Sequence, residues 1–286
     1  VTELDQAESV FAAARPRLFG IAYRMTGSVA DAEDLVQEVW LRWQNADREA
    51  VLHPEAYLAK AITRLAINES QTARARRETY VGPWLPEPVD TSADPQVGAE
   101  RGAVLELAVL MLLEKLTPTE RAAYVLREAF DYPYREIAEI VQTSEVAARQ
   151  LVSRARKHLA DERRAPVEPA EQRKLLEAFV AAAQAGDLAG LEELFAQDVV
   201  SYSDSNGAVR AAGRPLFGAA SLAKIFAAWA PGFWAGAQAD YVEANGLSAV
   251  RLRKDDTYAV ITVTASEEGI DQVMWLVNPE KLAAFR

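Results

Sequence analysis

Proline placement divides this chain before any other feature does. Pro83, Pro86, Pro88 and Pro95 fall in one stretch among Gly82, Asp90, Thr91, Ser92 and Asp94. Proline fixes φ and removes a backbone donor, so this stretch cannot be helix; with little to bury, it reads as a linker. Pro166 and Pro169 make a second interruption. Before each of them apolar residues recur at helical spacing. The first run extends from Glu3 to about Arg77, broken at Thr26-Gly27-Ser28 and around Asp47 to Pro54. The second extends from about Gly98 to Leu159, broken at Thr117-Pro118 and Tyr132-Pro133. After Ala170 two helices are followed by alternating β-branched runs such as Ala259-Val260-Ile261-Thr262-Val263. Asn206-Gly207 and Asn245-Gly246 are hairpin signals. The expected architecture is therefore two helical domains, 1–78 and 98–165, joined by an acidic linker, 79–97. An α+β domain, 166–286, follows, with a curved antiparallel sheet and its helices on one side.

Composition limits what such a chain does. No apolar run approaches the ~20 residues of a membrane span. Val1 to Gln6 carry neither a basic nor an apolar segment, and cysteine is absent, so disulfides and thiolate metal sites are excluded and the expected location is the cytoplasm. His53 and His158 are the only histidines, so neither a metal nor a cofactor is expected. The formal net charge of -11 opposes nucleic-acid binding, and acidic residues outnumber basic ones both before and after Ala165. Any DNA-binding surface must be a local stripe.

Three such local faces stand out. From Ser28 to Trp43, Ala32, Leu35, Val36, Val39 and Trp43 share one helical face, and Ser28 with Asp31 has capping spacing. The opposite face carries Asp31, Asp34, Gln37 and Glu38 around Leu41. An apolar residue ringed by acidic and amide side chains suits docking on a basic protein surface, although a solvated acidic face is the plain alternative. From Pro54 to Arg77, Leu58, Ile62 and Leu65 mark the buried side, and Tyr57, Lys60, Arg64, Gln71 and Arg74 line another, extended by Arg76 and Arg77. Cations beside an aromatic ring suit an unstacked nucleic-acid strand, and a solubilising face is again the alternative. Finally, Tyr134 to Val141, Gln142-Thr143-Ser144 and a second helix to Leu159 have the form of a helix-turn-helix. Its second helix confines Ala148, Leu151, Val152, Ala155 and Leu159 to a narrow arc and presents Arg149, Gln150, Ser153, Arg154, Arg156 and Lys157. Arg pairs with guanine, Gln with adenine, Ser and Lys with phosphate; Ser144 and Glu145 stand at the helix start, where Glu145 can also accept from cytosine.

In this order, acidic helix, basic aromatic helix, Pro-rich linker and helix-turn-helix, the chain resembles regions 2 and 4 of extracytoplasmic function (ECF) sigma factors of RNA polymerase. Trp84-Leu85-Pro86-Glu87-Pro88, Asp204-Ser205-Asn206-Gly207 and Asn278-Pro279-Glu280-Lys281-Leu282 resemble the marker motifs of the subgroup with a SnoaL-like (cystatin-like) C-terminal extension. The resemblance implies an alternative sigma factor and not an enzyme. It implies docking of the helix bearing Asp31, Asp34, Gln37, Glu38 and Leu41 on the polymerase β′ subunit. Tyr57 to Arg77, with the loop Asn45 to His53, would hold the melted minus-10 strand, and Thr143 to Leu159 would read the minus-35 element. The linker, with Glu87, Asp90 and Asp94, would run into the polymerase cleft near the template strand, the partners implied being the β′ and β subunits of core polymerase. The third domain would act in cis, in place of a separate anti-sigma protein, with Trp84 and Pro86 meeting Asn278 to Leu282. In the Asp204 loop the subgroup's glycine-rich stretch ending in Lys is replaced by Ser205-Asn206-Gly207-Ala208, and Arg210 is expected to supply the missing cation.

Two readings from other classes stand beside this one. A helix-turn-helix regulator could be fused to a ligand-binding SnoaL-like domain, or to an enzymatic one, since such folds include cyclases and isomerases with an acid-base residue; Asp204 and Asp240 are the candidates. Trp229, Phe233, Trp234, Tyr241 and Trp275 either line a pocket for a small ligand or form its core.

Overall fold

A computed structural model describes residues 3–77, 79–91, 105–160, 164–254 and 257–285. The expected helix start near Gly98, the acidic Asp94 and the side chains of Arg74 and Arg76 lie outside the described residues. The chain forms two compact units, one of Val1–Glu78 with Pro95–Glu162, the other of Thr79–Asp94 with Arg163–Arg286. The stretch read as a free linker thus belongs largely to the second unit.

The described residues of the first unit form helices α1 (Glu3–Thr26), α2 (Val29–Gln44), α3 (Pro54–Arg77), α4 (Leu107–Leu113), α5 (Pro118–Glu128), α6 (Tyr134–Val141) and α7 (Glu145–Ala160), with their connections. The breaks fall where turn chemistry places them. Ser28 caps α2 by accepting from the Asp31 N–H, and Thr117 and Glu120 form a reciprocal capping box on α5. Ala32, Leu35, Val36, Val39 and Trp43 are the buried side of α2, with the Trp43 indole donating to the Ala7 carbonyl of α1 at 3.0 Å. On α3 the buried side is Leu58, Ala59, Ile62, Thr63, Ala66 and Ser70. Leu65, expected there, is only half-buried, because the buried stripe turns toward the carbonyl end of α1, where Ser70 donates to Met25.

A buried guanidinium joins the two halves of this unit. Arg121, 4% exposed, donates to the Leu113 and Met25 carbonyls and to the Glu114 carboxylate at 2.6 to 2.9 Å. It meets carbonyls that end α4 and α1, where the helix dipole favours a cation. Glu114 also pairs with Arg77, which reaches the Thr26 carbonyl.

The second unit contains α8 (Pro169–Ala185), α9 (Leu188–Leu194), β1 (Phe195–Asp204), β2 (Leu216–Phe217), α10 (Ala219–Trp229), β3 (Gln238–Ala244), β4 (Leu247–Lys254), β5 (Thr257–Ser266) and β6 (Gly269–Leu276). Its sheet runs in the order β2-β1-β6-β5-β4-β3. The α+β class holds, with one difference: β1 and β6 pair in parallel, the rest antiparallel. Asn245-Gly246, both at positive φ, makes the tight β3–β4 hairpin; Asn206-Gly207 has the same backbone form but opens a longer loop before β2. The core is aromatic-rich and lies between the sheet and α8, α9 and α10, around Phe179, Phe195, Phe226, Trp234 and Trp275. At the turn into β6, Gly269 has φ +107, and a Cβ there would come within 2.6 Å of the Leu194 carbonyl oxygen. No helix among the described residues is long and apolar enough to cross a membrane.

Two substitutions test this architecture. Arg121→Met leaves two carbonyls and a carboxylate without their buried donor and is expected to lower the stability of the first unit by ~3 kcal/mol in urea unfolding. Gly269→Ala is expected to lower that of the second by ~2 kcal/mol or more, because both the positive φ and the backbone approach oppose a side chain.

Candidate functional site

Helix α6 owes its end to Gln142, which takes a left-handed conformation with φ 59 and returns its N–H to the Ala138 carbonyl. Ser144 then opens α7, its Oγ accepting from the Ala147 N–H at 3.2 Å. Capping uses the oxygen of Ser144 and leaves its hydroxyl proton to donate to a phosphate. Ala148, Val152, Ala155 and Leu159 are buried, Leu151 half-buried, and Glu145, Arg149, Gln150, Ser153, Arg154, Arg156 and Lys157 are all exposed. Three of the exposed cations have partners within the unit. Arg149 pairs with Glu145 at 2.6 Å and lies over the Tyr134 ring, Arg154 pairs with Glu120 at 3.2 Å, and Arg156 with Glu128 at 2.7 Å. Val146, 66% exposed, was not singled out from the sequence, although its place outside the apolar arc was the available signal. An apolar side chain there suits contact with a thymine methyl.

On α2, Leu41 is 57% exposed beside exposed Asp34, Gln37 and Glu38, with Asp31 half-buried at the helix start. Glu38 pairs with Arg42 at 2.5 Å. On α3 the expected residues separate. Tyr57 is 36% exposed with its ring against Trp43, Gln71 is exposed and Lys60 is half-buried. Arg64 instead donates to the Ile140 and Glu139 carbonyls at the end of α6. Arg77 is drawn to Thr26 and Glu114. Helical spacing placed these cations on one side of α3, but it carried no sign of the helix ends that accept them.

The three marker motifs converge in the second unit on one carboxylate. Asp204, at the end of β1, is 0% exposed. Its Oδ2 accepts from the Leu85 N–H at 2.7 Å and from Lys281 Nζ at 2.6 Å, and Oδ1 accepts from the Tyr80 hydroxyl. Lys281 also donates to the Leu85 carbonyl and sits 4.5 Å from the Trp84 ring centroid and 5.0 Å from that of Tyr80. Asn278 donates from Nδ2 to the Tyr80 oxygen at 2.9 Å, and its Oδ1 accepts from the Glu280 N–H, which starts the short 3-10 segment Pro279–Phe285. Leu282 is buried in that segment. Asn206 accepts from Val81, and Gly207 lies close enough to Val81 that a side chain would touch it.

Burial first, then the hydrogen bond to Asp204 and its charge, raises the Tyr80 phenol above its ordinary range, so it stays a donor throughout the physiological range. Tyr80 was missed in the sequence because it stands alone between a basic helix and the prolines. The expected cation is also corrected: Lys281 neutralises Asp204, whereas Arg210 is exposed and lines a separate cavity. Far from having little to bury, the linker buries Leu85, Pro86 and Pro88, with Glu87 half-buried.

A second clasp holds the stretch at Val89 and Thr91. Val89 and Asn245 exchange bonds, the Val89 N–H to Asn245 Oδ1 and the Asn245 N–H to the Val89 carbonyl, each at 2.9 Å. Thr91 donates to Glu243 Oε1 at 2.6 Å and accepts from the Gly246 N–H at 3.0 Å. Of the pocket aromatics, Trp229, Phe233 and Trp275 line the cavity, Trp234 is buried in the core, and Tyr241 is exposed on β3. Asp204 and Asp240 are both absent from the lining, and Asp240 pairs with Arg251 at 3.0 Å.

Asp204→Asn is nearly isosteric but leaves the Lys281 ammonium buried without its counter-charge. It is expected to cost the second unit ~3 kcal/mol, and to speed amide hydrogen exchange across residues 80–91.

Comparison with known proteins agrees with this geometry. The family description "Sigma-70 region 2" matches residues 10–77 and "Sigma-70, region 4" matches residues 106–159. The chain is 36% identical to "ECF RNA polymerase sigma factor SigJ" of Mycobacterium tuberculosis, over 96% of this chain and 92% of that one. It is 32% identical to "Probable ECF RNA polymerase sigma factor SigI" of the same species, over 76% of this chain and 77% of that one. The crystal structure of Mycobacterium tuberculosis SigJ superposes with a TM-score of 0.78 at 33% identity, covering 96% of this chain and 98% of that one, the α+β part included. Both helical halves of the first unit are thus accounted for, not the helix-turn-helix alone, and this chain belongs to the extracytoplasmic function sigma factors of RNA polymerase.

Proposed function

We propose that this chain is an alternative sigma factor that keeps its inter-domain linker stored on its own C-terminal domain until core polymerase takes it up. The observation that carries the reading is the anchoring of Tyr80 to Thr91 at both ends, on Asp204 and Lys281 and on Asn245. A sigma factor places its two helical domains on separated promoter elements, and the linker has to span them. With its first part docked, the spanning length is reduced. The storage contacts are buried and hydrogen-bonded, so release needs a competing surface, and the basic channel of polymerase would offer one to Glu87, Asp90 and Asp94.

In this reading Asp31, Asp34, Gln37, Glu38 and Leu41 dock on β′, with Leu41 providing packing and the charges providing register. Tyr57, Lys60 and Gln71, with Arg74 and Arg76, hold the melted minus-10 strand. Arg64 and Arg77 join them only by exchanging neutral carbonyl partners, and in Arg77's case also Glu114, for phosphates, an exchange favoured by charge-assisted bonding. Ser144, Glu145, Arg149, Gln150, Ser153, Arg154 and Lys157 read the minus-35 element. A net charge of -11 keeps the free chain from binding DNA tightly alone, and polymerase supplies the missing positive surface. The C-terminal domain acts by binding and not by catalysis: both acid-base candidates are committed to cations, and the relatives are named as sigma factors. Its place of action is with polymerase, in the cytoplasm.

The test compares the full chain, a Lys281→Met variant and a version ending at Glu162. Each is mixed with core polymerase and a template carrying the protein's own upstream region. All three are expected to form holoenzyme and start transcripts, and Lys281→Met to do so at several-fold lower polymerase concentration than the parent. Folded proteins that fail to bind core polymerase would sink the sigma mechanism; a Lys281→Met variant indistinguishable from the parent would sink linker storage alone.

A further inference from the structure

The sheet and helices of the second unit leave a cavity of about 510 Å3. Its walls are aromatic and aliphatic: Trp229, Phe233 and Trp275, with Leu216, Ile225 and Val277. The rings brace one another edge to face, Trp229 against Trp275 at 5.6 Å and 85°, Phe233 against Trp275 at 5.8 Å and 67°. Interlocked rings of this kind present fixed faces and edges to a planar guest. The volume lies within the range of small-molecule sites, about 300–1,000 Å3.

Two polar features of the lining define the guest further. Among the described residues of the lining, Arg210, exposed on the loop before β2, is the sole charged one, and Ser203 adds a hydroxyl. None of those residues is a carboxylate that would repel an anion or an imidazole that would catalyse a proton transfer.

We propose that this cavity binds a small planar aromatic carboxylate. Its ring lies among Trp229, Phe233 and Trp275, and its carboxylate takes hydrogen bonds from Arg210 and from the Ser203 hydroxyl. The site lies back to back with the Asp204 cluster. Ser203 pairs with Trp275 and Asp204 with Leu276 along β1 and β6, so alternation puts cavity residues on one face and the linker anchor on the other. The inference does not depend on the sigma mechanism or on linker storage, since it concerns ligand binding alone.

Calorimetric titration of the full chain with 2-naphthoate, and with the neutral naphthalene-2-carboxamide, decides it. Saturable binding at one site per chain is expected for the carboxylate, about tenfold weaker for the carboxamide and for the Arg210→Gln variant, the cost of losing a charge-assisted bond. Ser203→Ala removes the hydroxyl and is expected to weaken binding several-fold. Ala212→Trp is expected to fill the cavity and abolish binding. Absence of saturable binding overturns the proposal, as does binding that survives Ala212→Trp. Equal affinity for acid and amide, unaffected by Arg210→Gln, overturns the carboxylate class. Arg210 is exposed, so Arg210→Gln reports on affinity even where a core variant fails to fold.

Discussion

A fully buried carboxylate organises the second unit. Removing Asp204 from water is costly unless its charge is matched and both oxygens are bonded. The chain meets that demand from places far apart in sequence: a phenol and a backbone N–H from the Pro-rich segment, and an ammonium from the last turns. Because each donor is itself held, by Asn278 in the case of Tyr80 and by the Leu85 carbonyl and two aromatic rings in the case of Lys281, the cluster behaves as a network more than as a salt bridge. Loss of one member strands the others.

The consequence for the chain as a sigma factor is topological. Residues 79–91 of the segment that joins the two sigma regions are built into the unit that follows them, so the conformation of that stretch and the integrity of the C-terminal domain are coupled. Under the proposed storage, the network would give way to whatever offers its members or the acidic linker better partners, and the basic channel of polymerase would be such a surface.

Much of the first unit was legible because helices carry their own punctuation. Ser28, Thr117 with Glu120, and the short Gln142-Thr143-Ser144 turn bound elements whose apolar residues repeat at helical period, and exposed α7 side chains follow from that period alone. Leu41 on its acidic face was legible for the same reason. The fates of Arg64 and Arg77 were not, since a helical wheel places a cation on a side but says nothing of the carbonyls another helix brings to it. The sheet illustrates the same limit. Asn245-Gly246 announces its hairpin, whereas the parallel β1–β6 pairing joins residues some seventy positions apart and leaves no local trace.

The sequence by itself determined the division into helical and α+β parts and the helix-turn-helix with its exposed inventory, because period, capping and turn chemistry act within a few residues; the three motifs were legible only through their resemblance to those of the sigma subgroup. Only the tertiary structure decided that those motifs close on Asp204, that Lys281 and not Arg210 is its cation, that Tyr80 takes part, and that Trp229, Phe233 and Trp275 share a cavity with Arg210. Each of these is a question of which groups are withdrawn from water together. Desolvation is a property of the assembled core, and residues distant in the chain share it only once the sheet has brought them side by side.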